Sequence, residues 1–165
     1  MVTPRYFPEM GGVETHVAQV SQRLVQQGLG VTILTTDRSG RMPTEEQQDG
    51  VHILRVKAWP AERDYHLAPG MAQYIRAGQW DVLHLQSYHT LVAPLAMAVA
   101  QMVKLPYVVT FHGGGHSSQM RNNARPMQMA LLRPLLARAA RLVAIARFEI
   151  EQYSQALHVP KDRFT

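Results

Sequence analysis

Apolar positions along the chain follow two alternating rhythms. Val13, Val17, Val20 and Leu24 fall at i, i+4, i+7 and i+11, one stripe of a helix that starts near residue 12 and is ended by Gly28. The β-branched run Val31–Thr36 reads as a strand. A polar loop with Gly40, Pro43 and Gly50 separates it from a second strand at Val51–Val56. Met71–Ala77 reads as a short helix, Val82–Leu85 as a strand and Leu91–Val103 as an apolar helix. A strand at Tyr107–Phe111 is entered through Pro106, and a helix follows at Met127–Ala140. Pro134 starts that helix near Leu132 or kinks it. Leu142–Ala146 then reads as a strand and Phe148–Leu157 as the last helix.

Short apolar strands separated by helices predict βαβ units, hence an α/β, Rossmann-like, doubly wound parallel sheet with helices on both faces. Such a domain opens on a complete central strand, and only a fragment of one precedes residue 12, so the first strand reads as truncated. The 165 residues fit one domain, with 46% apolar and 18% charged positions. The chain has no cysteine, which excludes disulfides, thiolate catalysis and cysteine zinc sites. That composition, no secretory signal at Met1 and no apolar run of the roughly 18 residues a span needs predict a cytoplasmic protein.

Ligands of such sheets sit beyond the carboxyl ends of the strands, where three segments concentrate chemistry. Gly11 and Gly12 open the first helix, with Glu14 and His16 in its first turns. Exposed N–H groups and the helix dipole suit a phosphate there; the alternative is a tight turn needing positive φ at a glycine, with Glu14 merely favoured by the dipole. After the strand ending at Leu85 come Gln86, Ser87, Tyr88 and His89, suited to hydrogen-bonding a polyhydroxylated ligand. His84 reads as a core histidine and His89 alternatively as a helix-start residue. The third segment is Thr110-Phe111-His112-Gly113-Gly114-Gly115-His116. A histidine at a strand end followed by three glycines is costly to order and leaves space around the imidazole.

Rival chemistries fail on spacing. The His-Gly-Gly-Gly run also occurs in esterase oxyanion holes, but no serine here lies in a G-x-S-x-G elbow. Glycines oppose a helical His112/His116 metal pair, and there is no HExxH, GxGxxG or GxxxxGK[ST]. Charge is uneven: residues 1–120 carry nine basic and nine acidic residues, and residues 121–165 carry eight and three, the whole net +5. Arg133, Arg138 and Arg141 project at about 0°, 140° and 80° around a helix, sharing one side. They are either a solvated face or a modest patch for an anion or the inner face of a membrane. Nucleic acid is disfavoured because no aromatic residues interleave with the cations.

Four segments together resemble the N-terminal domain of retaining glycosyltransferases of the two-domain GT-B fold, the glycosyl transferases group 1 superfamily, family 4-like. They are Tyr6–Thr36, Asp81–Ser87, Leu105–Gly114 and Ala137–Tyr153. The resemblance implies sugar transfer with retention from a nucleotide-sugar to a lipid, glycan or small-molecule acceptor. It implies that Gly11 and Gly12, with Gly113 and Gly114, line the donor diphosphate and that His112 contacts the donor sugar. Glu14, His16, Ser87, Tyr88 and His89 become candidates for the acceptor. No cofactor or metal is expected. The family's serine after the last strand is replaced by Ala146 and Arg147, no Glu pair here has the family's Glu-x7-Glu spacing, and the chain is expected to lack the nucleotide-binding second domain. The fragment is therefore expected to be inactive alone and to self-associate through the face its partner domain would cover. A sugar-nucleotide epimerase and a non-catalytic glycan-, lipid- or protein-binding module are the alternatives.

Overall fold

A computed structural model describes residues 1–62, 65–113 and 119–165, with the backbone alone for residues 119–126. The elements are α1 (Gly12–Gln26), β1 (Thr32–Asp37), β2 (Glu45–Gln48), β3 (Val51–Lys57), α2 (Met71–Ala77), β4 (Leu83–Gln86), α3 (Val92–Met102), β5 (Tyr107–Phe111), α4 (Gln119–Leu136), β6 (Arg141–Ala144) and α5 (Arg147–Leu157). A 3-10 turn at Lys161–Arg163 follows.

β1 and β3 pair in parallel, as do β4 with β5 and β5 with β6. Val2 joins the two halves: it bridges in parallel to Leu34 of β1 and to Leu85 of β4. Its N–H donates to the His84 carbonyl at 2.8 Å, and its own carbonyl accepts from the Gln86 N–H at 2.9 Å. The sheet therefore runs β2-β3-β1-Val2-β4-β5-β6.

The all-parallel expectation needs one correction. The polar segment Glu45–Gln48 is a strand, antiparallel to β3 at the sheet edge. It has no apolar alternation because its side chains are mostly exposed. Its turn is nonetheless legible: Asp49 and Gly50 take φ of 51° and 77°, the two-residue Asp-Gly hairpin that matches strand twist.

Period-two alternation divides the core. Ile33 and Ile53 meet Val17 and Ala18 of α1 on one face. Leu34, Leu54, Leu85, Val109, Phe111 and Leu142 share the larger cluster with apolar residues of α2, α3, α4 and α5. Each such side chain taken fully from water contributes roughly 1.5–3 kcal/mol before entropy is counted.

The fourth helix lies earlier than its pattern predicts. It spans Gln119–Leu136, carries both Pro126 and Pro134, and neither starts near Leu132 nor reaches Ala140. It ends early because the sheet claims the chain: the Ala140 N–H donates to the Tyr107 carbonyl at 2.7 Å, opening the β5–β6 ladder.

Candidate functional site

The register of β4 and β5 builds the site. Gln86 lies opposite Thr110, and His84 opposite Val108. By alternation His84, Gln86, Thr110 and His112 share one side of the sheet, while Leu83, Leu85, Val109 and Phe111 enter the larger core. Two polar side-chain contacts result: His84 Nε2 lies 2.7 Å from Thr110 Oγ1, and His112 Nε2 lies 2.9 Å from Gln86 Oε1. His16 of α1 meets His112 edge-on, with ring centroids 5.1 Å apart. The glycine-led start of α1 and the end of β5 thus face one place.

Burial drives the electrostatics. His112 is pushed down to about 4, mainly by desolvation and then by the nearby His16 and His89. His84 also falls to about 4, through desolvation, the N-terminal ammonium, His16 and His112. Both rings are neutral at pH 7 and serve as hydrogen-bonding groups there, not as cations.

At the start of α1 the glycines are not explained by positive φ. Gly11 is extended, with φ −167°, and Gly12 takes no positive φ. A β-carbon at Gly11 would meet only the Glu14 carboxylate, with Oε2 2.4 Å away, the movable end of a side chain. The Glu14 carboxylate folds back over the helix start, where the dipole favours an anion.

Sequence reasoning missed Glu149, which holds the loops together. It is 1% exposed in the first turn of α5. Its Oε1 accepts from the Gly113 N–H and its Oε2 from the Ile145 N–H, each at 2.9 Å. One carboxylate therefore ties the loop after β5 to the loop after β6. A β-carbon on Gly113 would fall 2.1 Å from Glu149 Oε1, which explains that glycine. The available signal was a glutamate three residues past the helix N-cap Ala146, the position from which carboxylates reach back to orphan N–H groups.

The remaining candidates scatter. Tyr88 is a correction: it is 1% exposed, packs edge-on against Phe111 and places its hydroxyl 3.3 Å from that of Tyr153. Ser87 is buried with φ 72°, and its hydroxyl accepts from the His89 N–H. His89 packs on Tyr88 with centroids 4.2 Å apart and stays within electrostatic reach of His112. Gly114 and His116 lie outside the described residues.

The three arginines are a second correction, because they do not share a helix. Arg133 lies in the last turn of α4 and donates to the Leu157 carbonyl at 3.0 Å, Arg138 follows the helix and donates to Gln101, and Arg141 opens β6 and donates to the Asp162 carbonyl. Arg133 and Arg163 meet carbonyls near the ends of α5 and α4, where helix dipoles favour cations, so part of the basic excess serves the fold itself.

The family model described as "Glycosyl transferase 4-like domain" matches residues 11–165. The chain belongs to this family. It is 31% identical over 117 residues to the D-inositol 3-phosphate glycosyltransferase of Frankia alni, covering 63% of this chain and 28% of that protein. It is 29% identical over 118 residues to a subunit of the human phosphatidylinositol N-acetylglucosaminyltransferase, covering 68% and 24%. The alpha-monoglucosyldiacylglycerol synthase of Streptococcus pneumoniae is 29% identical over 118 residues, covering 68% and 26%. The matches thus span less than a third of each relative. Homologues of this glycosyl transferase 4-like domain are glycosyltransferases, and its α/β sheet fits a Rossmann-like half of such an enzyme. Among the described residues no helix is long and apolar enough to cross a membrane.

Proposed function

We propose that this domain is the acceptor-side, N-terminal half of a GT-B enzyme moving a sugar from a nucleotide-sugar to a lipid, glycan or small-molecule acceptor with retention. The observation that carries the reading is the contact of His16 with His112, which sets the α1 start beside the end of β5. A donor diphosphate approaching Gly11 and Gly12 meets the N–H dipoles of the α1 start and displaces the Glu14 carboxylate from it, while Gly113, whose N–H is held by Glu149, leaves room for the approach from the β5 side. Neutral His112 then hydrogen-bonds the donor sugar near its reacting carbon. In this reading protein dipoles replace a metal, and no cofactor takes part.

The rim of the site is apolar. Met10, Ile145 and Phe148 are 82%, 57% and 64% exposed around the loops that bear the chemistry. A nucleotide-binding second domain closing on this rim accounts for it, and without such a domain the rim would join two copies of the chain, which would be inactive alone. The names of two relatives, which contain phosphatidylinositol and diacylglycerol, favour a lipid acceptor. In our reading the enzyme is cytoplasmic and touches the inner membrane face peripherally.

The test is His112→Ala in the whole protein that contains this domain, assayed with nucleotide-sugars and lipid acceptors. Transfer is expected to fall about 100-fold or more, the scale of losing a transition-state donor or acceptor. Activity retained within about twofold overturns the reading.

A further inference from the structure

We propose that Gln86 is a positioning residue for His112: its side-chain oxygen holds the imidazole proton on Nε2, which makes Nδ1 the ring atom able to accept a ligand hydroxyl. The inference rests on the reading that His112 meets the sugar. Gln86 is 1% exposed, and β-pairing with Thr110 fixes its backbone. Its Oε1 lies 2.9 Å from His112 Nε2. A carbonyl oxygen only accepts, so with the amide in this orientation that nitrogen carries the proton, and a neutral imidazole has one proton to place.

Neutrality follows from the surroundings. Among the described residues, the groups acting on the charge of His112 are His16 from α1 and His89 from the loop after β4, and His84 on the same face of β4 is engaged with Thr110. None is an anion that would favour the imidazolium. The Glu149 carboxylate behind Gly113 is engaged by two N–H groups.

The rival arrangement reverses the amide, so that Gln86 Nε2 donates to a bare His112 Nε2 and the proton moves to Nδ1. In the observed orientation Gln86 Nε2 is buried with no hydrogen-bond partner among the described residues, and the tautomer of His112 distinguishes the two arrangements. The two forms present opposite faces to a sugar: a bare Nδ1 takes a hydroxyl proton, whereas Nδ1–H seeks an oxygen lone pair. Gln86 therefore decides which hydrogen-bonding partner the site selects.

Long-range proton–nitrogen NMR on the histidine-labelled chain at pH 7 reads the tautomer without any transfer assay. Expected is a neutral His112 with about a tenfold excess of Nε2–H, the ratio one ordinary net hydrogen bond sets. An Nδ1–H majority or a charged ring overturns the proposal. Gln86→Leu is expected to give mixed tautomers, and an unchanged Nε2–H excess in a folded variant also overturns it. Gln86→Glu keeps an acceptor and adds a charge, so the His112 midpoint should rise by about one unit or more with Nε2–H retained. If Gln86→Leu does not fold, Gln86→Glu reads the contact, and an Nδ1–H majority in the parent still overturns the proposal. An Nε2–H ring in a protein whose transfer ignores His112→Ala would sink the functional reading and leave the Gln86 assignment standing.

Discussion

Removing the Glu149 carboxylate should loosen the site and destabilise the fold together. In Glu149→Ala, two charge-assisted hydrogen bonds of 2.9 Å disappear, one from Gly113 and one from Ile145. Bonds of this kind contribute about 1.5–3 kcal/mol each. Both freed N–H groups lie in loops that water can partly reach, and the costly burial of a carboxylate is relieved, so the net loss should be about 2–4 kcal/mol. For a domain of this length that is roughly 5–15 °C in Tm. Thermal unfolding followed by circular dichroism at pH 7 measures it, and amide exchange at Gly113 locates it. Glu149→Gln should fall between, because the amide oxygen serves one N–H while its NH2 group confronts the other. A Tm within about 2 °C of the parent, with Gly113 equally protected, would refute the account of Glu149 as the tie between the loops.

Further predictions concern pH, the hairpin and the basic residues. His84 and His112 have folded values near 4 against an ordinary 6.5, so the unfolded chain binds more protons between those limits. Stability is full above pH 6.5 and lost as pH falls towards 4, by about 1–2 kcal/mol per ring after screening at these half-buried sites; urea titrations at pH 7 and pH 4.5 should show it. Gly50→Ala forces φ 77° on a residue with a β-carbon, 2.9 Å from Val25 Cγ1. It should cost about 1–2 kcal/mol in denaturant unfolding, and an unchanged midpoint would contradict the hairpin geometry. Arg133→Ala, which loses a bond to the Leu157 carbonyl, should lower Tm by about 2–4 °C, whereas Arg141→Ala, with a 3.4 Å contact, should move it less.

Much of the architecture was legible because buried parallel strands leave a strong mark. Val31–Thr36, Val51–Val56 and Tyr107–Phe111 are short β-branched or aromatic runs between helical stretches, and each overlaps an observed strand. β2 escaped because an edge strand with exposed side chains has no apolar period, leaving the Asp49-Gly50 turn as its sole local sign. The end of α4 escaped because helix propensity continues through Ala137–Ala140 while the β5 ladder claims the Ala140 N–H.

The sequence by itself determined the α/β class, the place of the buried parallel strands and the identity of the His112-Gly113 strand end, since periodicity and glycine are local properties. Only the tertiary structure decided which polar residues meet. Gln86 and His112 are partners through the β4–β5 register, Tyr88 turns into the core against Phe111 and Tyr153, and Glu149 reaches back 36 positions to Gly113. Chain distance carries no record of such contacts. A strand's pleat sends neighbours to opposite faces, so whether a tyrosine or an amide reaches the site is settled only when the sheet is assembled.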